Sequence, residues 1–276
     1  MTLIDARELS KSYGEVRALV DVGFEIGAGE VVALLGRNGA GKTTTIELLL
    51  GLRSPDGGAV TICGAEPTSV AARGRIGAMP QHTGFPDSLR VRELIELAAA
   101  HYEHPQDVAT VLASFELTAL ADDRVGSLSG GQQRRVALAL AFVGNAPVVM
   151  LDEPSTGLDV EARRALWEHI RAAADDTRCV LFTTHYLEEA EALATRILVI
   201  DRGRMLFDGT PQAFRARFGA RRLEYVAPSG ERTVVTADDT DAYVRELVAS
   251  GAPFRDLIIT QSSFEDVFLD LVGGAV

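Results

Sequence analysis

A glycine-rich segment with one lysine, GRNGAGKTT at residues 36–44, is the strongest candidate for chemistry in this sequence. The apolar run VVALL precedes it and the run TTTIELLLG begins at its end, which predicts a strand, a loop and a helix. The segment fits the pattern G-x-x-x-x-G-K-[ST], in which backbone N–H groups surround phosphate oxygens at a helix N-terminus. We expect Lys42 to reach the β- and γ-phosphate oxygens and Thr43 to ligate Mg²⁺. The predicted nucleoside triphosphate site comprises Gly36, Arg37, Asn38, Gly39, Ala40, Gly41, Lys42, Thr43 and Thr44.

Two adjacent carboxylates end another apolar run, in the segment VVMLDEPSTGLD at residues 148–159. Open α/β sheets bind their ligands at the carboxyl ends of strands, so these side chains are expected near the phosphates. We predict that Asp152 holds the Mg²⁺ shell, as the acidic partner of a phosphate-binding loop does. Glu153 is then placed to orient a water molecule against the γ-phosphate. Without the glycine-rich segment, an acidic strand-to-loop turn would explain this pair equally well.

Three further side chains lie in or after predicted strands, and each also has an ordinary structural explanation. Gln81, in GAMPQHTG, could contact Mg²⁺ or water, although surface loops often carry glutamine. His185, in FTTHYLEEA, could contact the γ-phosphate, although a lone histidine is usually structural or a solvated cap. Tyr13, in LSKSYGEVRAL, could stack on a nucleotide base or simply pack as a strand residue.

A second glycine-bearing segment, LSGGQQRR at residues 128–135, contains neither a nucleophile–base pair nor a set of metal ligands. Its glycines would let backbone N–H groups approach an anion closely. The apolar run that follows predicts a helix, whose N-terminus favours negative charge. The chain therefore contains a second candidate anion-binding loop, far along the sequence from the first.

The order and spacing of these segments closely resemble those of the ATP-binding cassette (ABC) ATPases, over about residues 2–218. The resemblance implies an ATPase that uses ATP and Mg²⁺ and works as a head-to-tail dimer with a second copy of itself. It implies an α/β fold, that of a P-loop NTPase with a mixed β-subdomain, a parallel-sheet core and a helical subdomain. No family position carries an unexpected residue, so we expect an active site.

The family roles fall on specific residues of this sequence. Base stacking is expected of Tyr13, and catalytic roles are expected of Lys42, Gln81, Glu153 and His185. The expected Mg²⁺ ligands are Thr43, Gln81 and Asp152. The signature loop, residues 128–132, would bind the ATP held by the other copy through Ser129, Gly130, Gly131 and Gln132. Asp159 would lie in the D-loop, at the contact between the copies.

The elements that would position these residues change in character along the chain. Short β-rich runs come first, and apolar residues then recur at spacings of three and four from about residue 82 to 143. Strand and helix patterns alternate after that, which predicts a parallel sheet flanked by helices. We assign residues 1–220 to the ABC ATPase domain, with a helical subdomain at about 82–143. Residues 221–276 are expected to form a small α+β module of order ββαβα.

The composition describes an ordinary globular chain, 47% hydrophobic and 24% charged. A net charge of −12 argues against nucleic acid or an anionic membrane as the main partner. The mixed segment MTLIDARELS is not expected to act as a secretory signal, and the most apolar stretch is broken by Gly144, Asn145 and Pro147, so no bilayer span is expected. Cys63 and Cys179 lie in apolar runs and are expected to be buried free thiols.

We interpret the chain as a cytoplasmic ATPase subunit that powers export through a separately encoded permease, at the inner face of the plasma membrane. The C-terminal segment at residues 259–274 resembles ATPase subunits of bacterial drug-resistance exporters, although a helix that simply packs explains it as well. The alternative is a soluble ABC ATPase of DNA repair or translation. Those proteins typically carry coiled-coil or zinc-bearing insertions, or two cassettes, and this sequence shows no heptad run. A small-molecule kinase would leave the signature loop and His185 without a role.

Overall fold

The computed structural model describes residues 1–81, 84–218, 221–227, 229–237, 240–261 and 263–273. The chain divides into two compact units, Met1–Gly209 and Thr210–Val276. This division falls ahead of the predicted domain boundary after residue 220. The physical reason is the helix α8 (Pro211–Phe218), which packs on the last helix, α10 (Phe264–Gly273). The rings of Phe214 and Phe264 have centroids 5.0 Å apart.

The core of the first unit is a six-stranded sheet of order β5-β6-β7-β3-β8-β9. Its strands are β3 (Val31–Leu35), β5 (Ile76–Met79), β6 (Val148–Leu151), β7 (Cys179–Thr183), β8 (Arg196–Asp201) and β9 (Arg204–Gly209). All pairings are parallel except that of β9 with β8. Every residue of β3, β6 and β7 is buried, as expected of parallel strands covered by helices on both faces.

The parallel register brings four strand ends to one edge of this sheet. Met79 pairs with Leu151, and Leu151 pairs with Phe182, so β5, β6 and β7 end side by side. Leu34 pairs with Thr183, which places the end of β3 next to the end of β7. Each predicted segment that follows one of these strands therefore begins at the same edge.

A second, antiparallel sheet of order β2-β1-β4 lies in the same unit. It consists of β1 (Thr2–Tyr13), β2 (Val16–Gly27) and β4 (Gly57–Ile62). The β2 strand passes close to the glycine-rich segment, where Gly41 has φ +111°. A Cβ at Gly41 would lie 2.6 Å from the Ala18 carbonyl oxygen, so this position requires glycine for two reasons.

The helices around the large sheet include α1 (Lys42–Leu49), α6 (Val160–Ala173) and α7 (Leu187–Leu193). A short helix, α2 (Val70–Arg73), precedes β5, and the predicted helical subdomain contains α3 (Val91–Ala99), α4 (Val108–Ser114) and α5 (Gly130–Val143). Residues 82 and 83, at the start of the predicted helical subdomain, lie outside the described residues. The α5 helix presses directly on β5, because a Cβ at Gly77 would lie 1.9 Å from the Ala141 carbonyl oxygen. The four-residue helix α2 is too short to show in sequence periodicity.

The second unit contains the predicted small α+β module. Its sheet has the order β11-β10-β12, formed by β10 (Arg221–Val226), β11 (Arg232–Ala237) and β12 (Arg255–Gln261). The helices are α8, α9 (Thr240–Ala249) and α10. Leu223 and Val267 are fully buried within it. In neither unit is any helix, as far as the chain is described, long and apolar enough to cross a membrane.

Candidate active site

The glycine-rich segment forms a loop between β3 and α1 that is closed by its own lysine. Lys42 Nζ donates hydrogen bonds to the carbonyl oxygens of Gly36, at 2.7 Å, and Arg37, at 3.2 Å. Burial lowers the pKa of Lys42, while the negative charges of Glu153 and Asp152 act in the opposite direction. Arg37, Asn38 and Gly39 are exposed at the tip of the loop. The ammonium group therefore lies inside a turn of backbone, which is the arrangement that surrounds a phosphate chain.

Asp152 lies at the end of β6 and is only 2% exposed. It accepts a hydrogen bond of 2.5 Å from the Thr183 hydroxyl and another from the Thr43 hydroxyl. Burial raises the pKa of this carboxyl group, and the two hydrogen bonds and the charge of Lys42 partly offset the rise. A carboxylate beside a threonine hydroxyl provides the oxygen ligands that Mg²⁺ takes next to phosphates, so the residues present fit that ion.

Glu153 has a left-handed backbone conformation, with φ +49°. Its N–H donates to the Thr183 hydroxyl at 2.8 Å, so one threonine holds both neighbouring acidic residues. The Glu153 carboxylate lies 3.8 Å from Nδ1 of His185. The His185 ring is exposed and packs on Tyr186, with centroids 4.0 Å apart. The structure thus brings Glu153 and His185 together at the sheet edge beside the phosphate-binding loop.

Gln81 and Tyr13 each lie at the end of a strand, in two different sheets. Gln81 follows β5, is half-buried, and accepts a hydrogen bond through its carbonyl oxygen from Arg134 at 3.4 Å. Tyr13 ends β1 and is 39% exposed, and the guanidinium of Arg53 lies 5.3 Å from its ring centroid. The exposed ring lies in the same antiparallel sheet as the β2 strand that touches the phosphate-binding loop.

The signature loop forms a separate feature at the start of α5. Ser129 caps the helix by accepting from the Gln132 N–H at 3.3 Å, and the Gln132 side chain accepts from the Ser129 N–H at 2.8 Å. A cavity of about 190 Å³ is lined by Ser129, Gly131, Gln132 and Asp159. Among the described residues, none of 36–44 lines it. The Asp159 carboxylate caps α6 by accepting from the Ala162 N–H at 2.8 Å.

The two glycines of the signature loop are surrounded by open space. A Cβ built at Gly130 or Gly131 meets no described atom within 4 Å. Packing inside this chain therefore does not explain why glycine occupies both positions. The first N–H groups of a helix have no partner within the helix, so those of Gly130 and Gly131 can donate to an anion that comes from elsewhere.

Two residues important to this geometry did not stand out in the sequence. Thr183 is fully buried and joins Asp152 to Glu153, yet a threonine at a strand end has no distinctive pattern. Arg134 donates to the carbonyl oxygens of Gln81, Asp152, Glu153 and Pro154. Its only signal is its position one helical turn after the signature glycines.

Comparisons with known proteins agree with this geometry. The sequence profile of the family described as "ABC transporter" matches residues 19–156. The Nod factor export ATP-binding protein I of Burkholderia orbicola is 36% identical over 294 residues, covering 98% of this chain and 97% of that protein. The protein of the same name from a Rhizobium species is 34% identical over 296 residues, with the same coverage of both chains.

Solved structures give the same result. A structure of an ATP-binding subunit of an ABC transporter superposes with a TM-score of 0.73 at 30% identity, covering 78% of this chain and 93% of that one. A dimeric ATP-binding cassette in a post-hydrolysis state, bound to ADP and Pi, superposes with a TM-score of 0.69 at 26% identity. It covers 75% of this chain and 98% of its own. The predicted fold class is confirmed: the chain belongs to the ABC transporter family, as an ATP-binding and ATP-hydrolysing subunit.

Proposed function

We propose that two copies of this chain pack head to tail, so that the signature loop of each closes on the ATP held by the other. The observation that carries the proposal is the open space around Gly130 and Gly131, which the chain's own packing leaves unexplained. The helix that these glycines begin, α5, supplies its first backbone N–H groups and a positive dipole end for phosphate oxygens. One of the solved relatives is itself a dimeric cassette bound to ADP and Pi.

Within one site, each predicted residue has a role that its position supports. Lys42 and the loop N–H groups bind the β- and γ-phosphates, and Tyr13 stacks on the base. Thr43, Asp152 and Gln81 would hold Mg²⁺, which would neutralise the negative charge of the phosphates in the transition state. Glu153 orients the attacking water.

His185 completes the site. Its Nδ1 already faces the Glu153 carboxylate at 3.8 Å, so the opposite side of the exposed ring is available to the γ-phosphate. Asp159 caps α6 beside the signature loop, in the cavity that would face the second copy. Hydrolysis would replace one anion bridging the copies by two that repel each other, and the dimer would open.

The transport partner is proposed to be a separately encoded membrane permease. A groove of about 780 Å³ lies between α2 and α3 and is lined by Val70 and Leu97, both exposed, together with Arg73, Arg75 and His101. An apolar floor with basic side chains suits short cytoplasmic helices of a permease. We propose that this groove and the Gln81 loop receive them, which would place the protein at the inner face of the membrane.

We propose export as the direction of transport, because the curated relatives described above are named as export ATP-binding proteins. The names of those relatives refer to Nod factor. We do not extend that cargo to this protein, because the residues that contact cargo would lie in its permease. The family membership and these relatives favour transport over DNA repair or translation.

Cross-linking of two tagged versions of the chain tests the head-to-tail dimer. One version carries Ser129→Cys and the other Asn38→Cys, both without Cys63 and Cys179, and each also carries Glu153→Gln so that ATP persists. Asn38 is chosen over Gly39 because Gly39 has φ +80°, which a cysteine adopts with strain. We expect ATP-dependent disulfides between differently tagged chains. A third version carries both cysteines on one chain, and a cross-link that forms only inside that chain would show that the loop serves its own subunit.

A further inference from the structure

Arg134 connects three parts of the site through a single guanidinium group. It lies on α5, one turn after Gly130, and is half-buried. Its Nε donates to the Pro154 carbonyl oxygen at 3.3 Å, and Nη1 donates to that of Gln81 at 3.4 Å. Nη2 donates to the carbonyl oxygen of Glu153 and approaches that of Asp152 at 3.5 Å. All three nitrogens are thus engaged with the ends of β5 and β6.

The packing of α5 explains why this one side chain reaches both strand ends. Gly77 in β5 touches Ala141 near the end of α5, at a distance that excludes even a methyl group. Arg134 lies about 10 Å back along the helix axis from Ala141. Gln81 lies about 13 Å beyond Gly77 in the strand direction. Because α5 and β5 run in opposite directions, the Arg134 side chain lies at the carboxyl edge of the sheet.

The backbone at Glu153 is held from both sides. Its N–H is bound by the Thr183 hydroxyl and its carbonyl oxygen by Arg134. A left-handed conformation is costly for a residue with a side chain, and it persists where the surroundings hold it in place. Burial lowers the pKa of the Arg134 guanidinium. The negative charges of Glu153 and Asp152 act in the opposite direction and favour its charged form.

We propose that Arg134 is a positioning residue for hydrolysis, which fixes the carbonyl groups after β5 and β6 to the signature helix. Arg134 thereby links Glu153 of one site to the signature loop that serves the other site. This inference rests on the proposed head-to-tail dimer. It adds a link inside each chain between the residues that act on its own ATP and the loop that acts on its partner's.

Arg134→Lys tests the proposal, because lysine keeps the charge but has one nitrogen and cannot reach four carbonyl groups. The matched control is Arg196→Lys. Arg196 also engages all three guanidinium nitrogens, with Asp208, Glu30 and the Glu25 carbonyl oxygen, but it begins β8 at the opposite edge of the same sheet. Lysine is a good helix former at position 134 and keeps the positive charge at both positions, so both variants are expected to fold.

Three measurements separate positioning from general stability. Steady-state ATPase should show kcat of Arg134→Lys reduced about 10- to 100-fold, as for a misplaced reacting group. Binding of a fluorescent ATP analogue should change less than about twofold, because the phosphate-binding loop is intact. The ATP-dependent Ser129→Cys to Asn38→Cys cross-link should fall as well. Arg196→Lys should leave kcat and the cross-link within about twofold of the parent chain.

The outcomes divide clearly. A kcat for Arg134→Lys within twofold of the parent, or an equal loss in Arg196→Lys, overturns the inference while the dimer stands. A lower kcat with an unchanged cross-link would show that Arg134 positions only the Glu153 of its own chain. That result would refute the link between the two sites. If the parent chain itself gives no cross-link between copies, the head-to-tail dimer fails and this inference fails with it.

Discussion

Replacing Thr183 by valine would test how the two acidic residues after β6 are held, because valine keeps the shape and removes only the hydroxyl. The Thr183 side chain is fully buried, donates to Asp152 at 2.5 Å and accepts from the Glu153 N–H at 2.8 Å. Losing a hydrogen bond to a buried carboxylate costs about 2 kcal/mol, and leaving a half-buried N–H unpaired adds about 1 kcal/mol. We therefore expect a loss of about 3 kcal/mol in the free energy of unfolding.

The assay compares Thr183→Val with Thr183→Ser in thermal unfolding and in ATP hydrolysis. Serine retains the hydroxyl and loses one methyl group, which costs about 1 kcal/mol. For a protein of this size, 3 kcal/mol corresponds to a Tm lowered by about 6–12 °C. The valine variant should also lose about 10- to 100-fold in kcat, because Glu153 is no longer held in place. Equal stability of the two variants would refute the role assigned to the hydroxyl.

Three further substitutions address the nucleotide site. Glu153→Gln should bind ATP normally but hydrolyse it about 10²- to 10⁴-fold more slowly, and a steady-state rate near that of the parent would remove Glu153 from its role. Lys42→Ala should weaken binding of a fluorescent ATP analogue and abolish turnover, because the phosphates lose their ammonium contact; unchanged affinity would count against this. Gly130→Asp should leave Tm unchanged, since a Cβ there meets nothing, yet size-exclusion chromatography should show no ATP-driven dimer. A lowered Tm would contradict that last reasoning.

The sheet edge could be predicted from the sequence because each chemical segment follows an apolar run. The runs VVALL, VVML and CVLFT are all fully buried strands, and parallel pairing then aligns their ends. This physical rule requires no knowledge of side-chain contacts. The placement of Asp152 and Glu153 near the phosphate-binding loop followed from it.

Contacts made through the backbone could not be predicted in the same way. The left-handed conformation at Glu153 and the four carbonyl groups around Arg134 depend on how α5 packs on β5. The unit boundary was placed late for a similar reason. The sequence of α8 continues the helical pattern, whereas its partner Phe264 lies far along the chain, and local periodicity contains no information on such distant packing.

The open space around Gly130 and Gly131 has a genetic consequence. A substitution there leaves the packing of its own chain untouched, so the altered protein should accumulate normally and still compete for the permease. In a cell that carries both alleles, every mixed pair would then contain a defective site, and we expect such alleles to be dominant. At Gly77 a methyl group would overlap Ala141, so a substitution there should prevent the chain from folding and therefore from forming a dimer. Such an allele would be recessive.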